Sequence, residues 1–185
     1  MPRAFLIHGY TGTPEHGWLP WLTQELETRG YDVFVPSMPD THHPRVGPWV
    51  GTLHEVVGEP CPDDVFVGHS LGCITIIRYL LSLSPGQHVG HCIFVAGFYE
   101  ELGPEYEELR TFLDDPIDWS RVREACPSFT VIHSDDDDAV PVYCGRNLAV
   151  ALGVPLELQS GYGHFSGSDG VTELPLLLKL LDKNS

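Results

Sequence analysis

The chain has 185 residues, 42% of them hydrophobic, enough to bury one sizeable core, so a single domain over 1–185 is expected. Its 26 acidic residues against 10 basic ones give a formal net charge of −16. That argues against nucleic acid as a partner, since no basic patch exists to exchange for phosphate counterions, and against strongly anionic substrates. The five cysteines (Cys61, Cys73, Cys92, Cys126 and Cys144) are odd in number and contain no Cys-x-x-Cys. They give no disulfide framework or zinc knuckle, and a reducing cytoplasm fits them best. No apolar run reaches the 18 residues of a membrane span, and the first residues do not read as a signal peptide, so no membrane partner is expected.

Residues 3–7 form a short apolar run without polar alternation, as in a strand buried on both faces of a parallel sheet. A glycine-rich loop, His8 to Pro14, follows it. The spacing of Trp18, Leu19, Leu22 and Leu26 predicts a helix closed by Gly30. Residues 31–35 read as a second strand, and 36–48, with four prolines, as loop. A helix is expected from about Trp49 to Val57, a strand over 64–68, and a helix over 71–83 stopped by Ser84-Pro85-Gly86. A fourth strand covers 91–96. The acidic, aromatic stretch 98–125 is the longest insertion, with helical patterns near 104–113 and 118–125, and is the candidate rim of a site. Strands at 128–133 and 155–159 enclose a helix at 142–152, and a last helix is expected over about 169–182. Strands alternating with helices make an α/β domain with a mostly parallel sheet of about six strands. In such sheets the chemistry gathers at the carboxyl ends of strands.

Four polar signals follow strands here: His8-Gly9, Ser70, the run Asp135–Asp138 and His164. Gly68-His69-Ser70-Leu71-Gly72 sits between a strand and a helix. In that setting Gly-x-Ser-x-Gly is the nucleophile elbow of α/β-hydrolases. The serine adopts a strained backbone, and bulky side chains two residues either side would clash, hence the glycines. The Leu71 N–H, at a helix N-terminus, is one candidate oxyanion donor, and the Tyr10 N–H, after the first strand, is the second.

A serine hydroxyl needs a base, and the base needs an acid that fixes its tautomer. The chain order Ser70, aspartate, His164 is the hydrolase order. Gly161 and Gly163 let the His164 loop fold tightly after a strand. An acid four residues before a proline selects Asp137, ahead of Pro141, with Asp138 as runner-up and Asp135 and Asp136 behind. The aspartate run lacks calcium-loop spacing and its central glycine, so no metal or other cofactor is expected. His8 reads as a brace for the oxyanion loop, and His69 and His133 as structural. Trp18 and Trp21 read as core, and Trp49, Phe98, Tyr99, Trp119 and Phe165 as candidate pocket walls.

Phe5-Leu6-Ile7-His8-Gly9-Tyr10, Trp18-Leu19-Pro20-Trp21-Leu22 and Pro36-Ser37-Met38-Pro39 resemble the small serine hydrolases of the retinoblastoma-binding protein 9 and YdeN type. Gly68 to Gly72, Ser134 to Pro141 and Gly163-His164-Phe165 match that family's later motifs in order, so the resemblance covers essentially the whole chain. It implies a compact α/β-hydrolase without a large cap domain and a triad of Ser70, Asp137 and His164. Asp138 departs from the residue that relatives often carry. The Leu-x-Cys-x-Glu motif of retinoblastoma binding does not occur. The expected activity is hydrolysis of small carboxylic esters, amides or thioesters. The short rim suggests a shallow pocket. The alternative is a non-catalytic protein-interaction module on the same fold.

Overall fold

A computed structural model describes residues 1–182. Six strands form one sheet: β1 (Arg3–Ile7), β2 (Asp32–Phe34), β3 (Val65–His69), β4 (His91–Val95), β5 (Ser128–Ser134) and β6 (Leu156–Gln159). Their order is β2-β1-β3-β4-β5-β6, and every neighbouring pair is parallel. The helices are α1 (Leu19–Thr28), α2 (Val46–Val57), α3 (Leu71–Ser82), α4 (Trp119–Ala125), α5 (Val142–Leu152) and α6 (Pro175–Asp182). The expected α/β-hydrolase architecture is thus present.

The apolar run of β1 feeds two cores at once. Phe5 and Ile7 pack with residues of α2, α3, α4 and α5, while Ala4 and Leu6 pack with α1 and α6. Alternate side chains leave opposite faces of a strand, so a strand between two helix layers must be apolar on both. The centre of the molecule is α3, nine of whose residues are buried, Leu71 to Ile77 without a break. It lies so close to the sheet that a Cβ on Gly72 would collide with the Ile7 carbonyl oxygen, and one on Gly68 would sit 2.8 Å from the Cys73 nitrogen.

Two helix boundaries differ from the sequence expectation. Helix α2 starts at Val46, three residues early, because Pro48 falls within its first turn, where an N–H has no intrahelical acceptor to lose. The last helix starts at Pro175 and not near 169. Residues Gly167–Asp169 make one 3-10 turn under a Ser166–Asp169 capping box, and Gly170 at φ 78° ends it. The stretch 98–118 has no cap domain. It holds one 3-10 segment, Pro104–Phe112, broken at Tyr106. Arg78 of α3 ties it down by donating to the carbonyls of Phe112 (2.7 Å) and Asp115 (2.6 Å).

In strand order the chain turns back between β1 and β3, since β2 lies on one side of β1 and all later strands on the other. A crevice opens at the carboxyl ends of strands at such a switch point. His8-Gly9 follows β1 and Ser70 follows β3, so both border it.

Candidate active site

Ser70 sits between β3 and α3 at φ 53°, ψ −118°. A non-glycine residue held there stores roughly 1–3 kcal/mol of strain. Its surroundings fix it. The Ser70 N–H donates to the Val95 carbonyl of β4 (2.9 Å), and the Ser70 carbonyl accepts from the Cys73 N–H (3.0 Å). The loop after β1 comes up against it, where a Cβ on Gly9 would stand 3.0 Å from the Ser70 Cβ. Leu71 opens α3, and the first N–H groups of a helix have no acceptor within it.

The loops after β5 and β6 bring Asp137 and His164 together. Asp137 Oδ2 accepts from His164 Nδ1 at 2.9 Å. Its other oxygen, Oδ1, accepts from the N–H groups of Ala139 (3.0 Å) and Val140 (2.8 Å). The carboxylate is buried and the imidazole 17% exposed. A carboxylate can only accept, so the proton rests on His164 Nδ1 and Nε2 is left free to take one.

The four adjacent aspartates have four different surroundings. Asp135 accepts from the Ser160 hydroxyl (2.7 Å). Asp136 Oδ1 accepts from Ser134 Oγ (2.5 Å) and from the N–H groups of Gly161 (3.2 Å) and Gly163 (3.1 Å). These bonds, the Ser134 hydroxyl foremost, hold its pKa below the usual carboxylate value. Asp138 is exposed at the cavity edge. Geometry therefore singles out Asp137 as the partner of His164. Asp169 secures the same loop from the far side, accepting at Oδ2 from the N–H groups of His164 and Ser166, each at 3.0 Å. Sequence reasoning missed Asp136 and Asp169 as supports. The signal for the second was the Ser-x-x-Asp spacing of a capping box. Among the described residues no group of three or more His, Cys, Asp or Glu is placed to hold a metal ion.

Three further histidines hold backbone groups of the site. His8 Nδ1 donates to the Gly9 carbonyl (3.0 Å), and its Nε2 accepts from the Met38 N–H (3.1 Å), joining the loop after β1 to residues 36–40. His69 Nε2 donates to the His164 carbonyl (2.8 Å), and His133 Nε2 to the Val140 carbonyl (2.8 Å). Burial lowers the pKa of all three, that of His69 to about 3, with His164 adding to the effect there. Each is thus a neutral clamp with a fixed tautomer.

Ser70, His164, Tyr10 and Gly9 line one cavity of about 620 Å³. That lies within the range of pockets that take drug-sized ligands and is roomier than a short rim implied. Of the five aromatics expected in its walls, only Phe165 lines it. Trp49 is buried in the core against His8, and Tyr99 and Trp119 pack on each other with ring centres 4.9 Å apart. Phe98 lines a second cavity. The main cavity is walled instead by Tyr10, Trp18, Leu102, Tyr106 and Leu109. It also contains Asp138 and Asp169 but no lysine or arginine.

Residues 4–183 match the family model described as "Serine hydrolase". YdeN of Bacillus subtilis (strain 168), a protein named as a hydrolase, is 33% identical over 180 residues, covering 97% of this chain and 94% of YdeN. The crystal structure of the ydeN gene product superposes with a TM-score of 0.94 at 30% identity, over 100% of this chain and 98% of that one. A YdeN-like hydrolase from Pectobacterium atrosepticum gives 0.73 at 18% identity, over 98% and 89% of the two chains. A carboxylesterase of the thaumarchaeon Nitrososphaera gargenis gives 0.72 at 14%, over 98% and 88%; the last two likenesses speak for the fold alone. With an elbow serine, a buried carboxylate on a histidine and a family match over nearly its whole length, the chain belongs to the serine hydrolase family.

Proposed function

We propose that the protein hydrolyses carboxylic esters through an acyl-enzyme on Ser70, with His164 as general base and Asp137 as its orienting acid. The observation that carries this reading is the 2.9 Å bond from His164 Nδ1 to the buried Asp137, beside a cavity that both His164 and Ser70 line. His164 Nε2 takes the Ser70 proton as Oγ bonds to the acyl carbon, and the carbonyl electrons move onto oxygen. The N–H groups of Tyr10 and Leu71 hold that oxyanion. As it collapses, the bond to the leaving oxygen breaks, and His164 returns the proton to the departing alcohol. Water, activated by the same histidine, then releases the acid and restores Ser70. The step uses no cofactor. Buried free thiols at Cys73, Cys92, Cys126 and Cys144 favour a reducing, cytoplasmic setting.

Labelling with a fluorophosphonate probe tests the reading. Wild type is expected to label, and Ser70→Ala and His164→Ala are expected not to. A folded wild type that neither labels nor cleaves any ester would overturn it and favour the interaction-module alternative.

A further inference from the structure

The cavity at Ser70 has two ends that belong to two different cores. Trp18, Leu19 and Phe165 belong to the core under α1 and α6. Tyr10, Leu102, Tyr106, Leu109 and Val140 belong to the core on the opposite face of the sheet. The first end also carries His16, Ser166, Ser168 and Asp169, and it continues the chain from His164. A leaving alcohol must take its proton from His164, so it departs on that polar side. The acyl group then points to the other, apolar end.

That end is bounded by Leu102, Tyr106 and Leu109. Behind it lies the second cavity, of about 290 Å³, walled by Phe98, Pro104 and Leu113 and edged by the exposed Glu101, Glu107 and Arg110. Leu102, Tyr106 and Leu109 line both cavities and are the wall between them. Leu109 is 2% exposed and fixed in the core. Tyr106 is different. It has the largest side chain of the three, is half-buried, and stands at the break in the 3-10 segment, at φ −115°, ψ 26°.

We infer that Tyr106, with Leu102 and Leu109, is the end wall of the acyl site and sets the longest straight acyl chain the enzyme accepts, the tyrosine ring separating it from a second cavity most of whose lining is apolar. This rests on the acyl-enzyme reading above. Removing the ring joins the two spaces, and each further methylene buried there is worth about fourfold in binding.

The test is kcat/KM for p-nitrophenyl esters from acetyl to dodecanoyl, with a second series of acetates of lengthening alcohols. Tyr106→Ala is expected to raise the dodecanoyl-to-butanoyl ratio at least about tenfold and to leave the order of the alcohol series as in wild type. Tyr106→Phe is expected to keep the wild-type profile, because the ring and not the hydroxyl makes the wall. Adding Leu113→Trp to Tyr106→Ala fills the second cavity and is expected to restore the shorter limit. A Tyr106→Ala protein that still labels with fluorophosphonate but keeps the wild-type acyl profile would overturn the inference. So would a change confined to the alcohol series. Failure of wild type itself to label removes the acyl-enzyme reading and the inference with it, so the two failures are told apart.

Discussion

The loops that carry Asp137 and His164 and the rim at 98–118 border the same cavity, yet they are held in different proportions by charged bonds to backbone and by apolar packing. In the first, side-chain carboxylates grip backbone N–H groups. Asp136 holds Gly161 and Gly163, Asp169 holds His164 and Ser166, and Asp137 holds Ala139 and Val140. The rim has Leu109 and Phe112 inserted in the core and two bonds from Arg78, and its own ion pairs, Arg110 with Glu107 and Asp114, are exposed. Charged hydrogen bonds to backbone fix position in several directions, whereas apolar packing fixes only volume. Chemistry that fails when atoms shift by an ångström needs the first kind of support, and a wall that only has to fill space can use the second. Substitutions in the two regions should therefore show up in different measurements.

The largest effect is expected at the bond that completes the catalytic side. Asp137→Asn keeps the shape but replaces one acceptor with an amide that cannot stabilise a charged His164. kcat is expected to fall about 10⁴-fold, the fold remaining intact by circular dichroism. Next comes Asp136→Ala, which touches neither substrate nor His164 but frees the Gly161 and Gly163 N–H groups. A loss of about 10²-fold in kcat with little change in KM is expected, as for a misplaced base. If kcat stayed at the wild-type value, Asp169 and His69 would suffice to hold the His164 loop and the contrast with the rim would weaken.

Acid acts through buried histidines that support the sheet and the His164 loop but not the rim. His69 behind the site and His91 at the start of β4 are buried, and burial lowers their pKa values to about 3 and about 4. In the unfolded chain each takes a proton near pH 6.5. Between those values the unfolded state binds more protons, so stability is fully present above about pH 6.5 and falls as the pH drops toward 4. By pH 5 the loss is about 2 kcal/mol for each histidine. Urea melts at pH 7 and pH 5 would measure it. His91→Asn, at the strand end away from the cavity, is expected to flatten that slope without altering turnover at pH 7, the remainder coming from His69 and the other buried histidines, His8 and His133.

Much of this was legible in the sequence, for reasons that differ by residue. The six strands were readable because each central one must be apolar on both faces, and the elbow because Gly68 and Gly72 leave space that no other residue leaves. The spacing to Pro141 selected Asp137. The pocket walls were not readable. Trp49, Tyr99 and Trp119 have the composition of a binding wall, but packing between helices buries or pairs them, while Tyr106, in the stretch read as the rim, was not singled out from its acidic neighbours. The supporting role of Asp136 was hidden too, since a carboxylate that accepts backbone N–H groups is spelled like one that faces water, whereas that of Asp169 was written in the Ser-x-x-Asp spacing and went unread.

Asp138 tests the boundary between the two regions with the smallest expected effect. In sequence it belongs to the loop after β5, next to Asp137. In space it belongs with the rim. It is exposed at the cavity edge, and its charge, after burial and Glu105, helps raise the pKa of the Tyr106 hydroxyl. If position in the fold decides, Asp138→Asn should change kcat on a neutral ester by less than about threefold, far below the loss at Asp137. It removes one of the two carboxylates lining a cavity that has no lysine or arginine. kcat/KM for an ester with an anionic acyl tail should therefore rise a few-fold at low salt, and the gain should shrink at ionic strengths where the screening length falls to about 3 Å. A collapse of kcat in Asp138→Asn would instead place its carboxylate in the proton relay, and the division between the Asp137 loop and the rim would have to be redrawn one residue further along the chain.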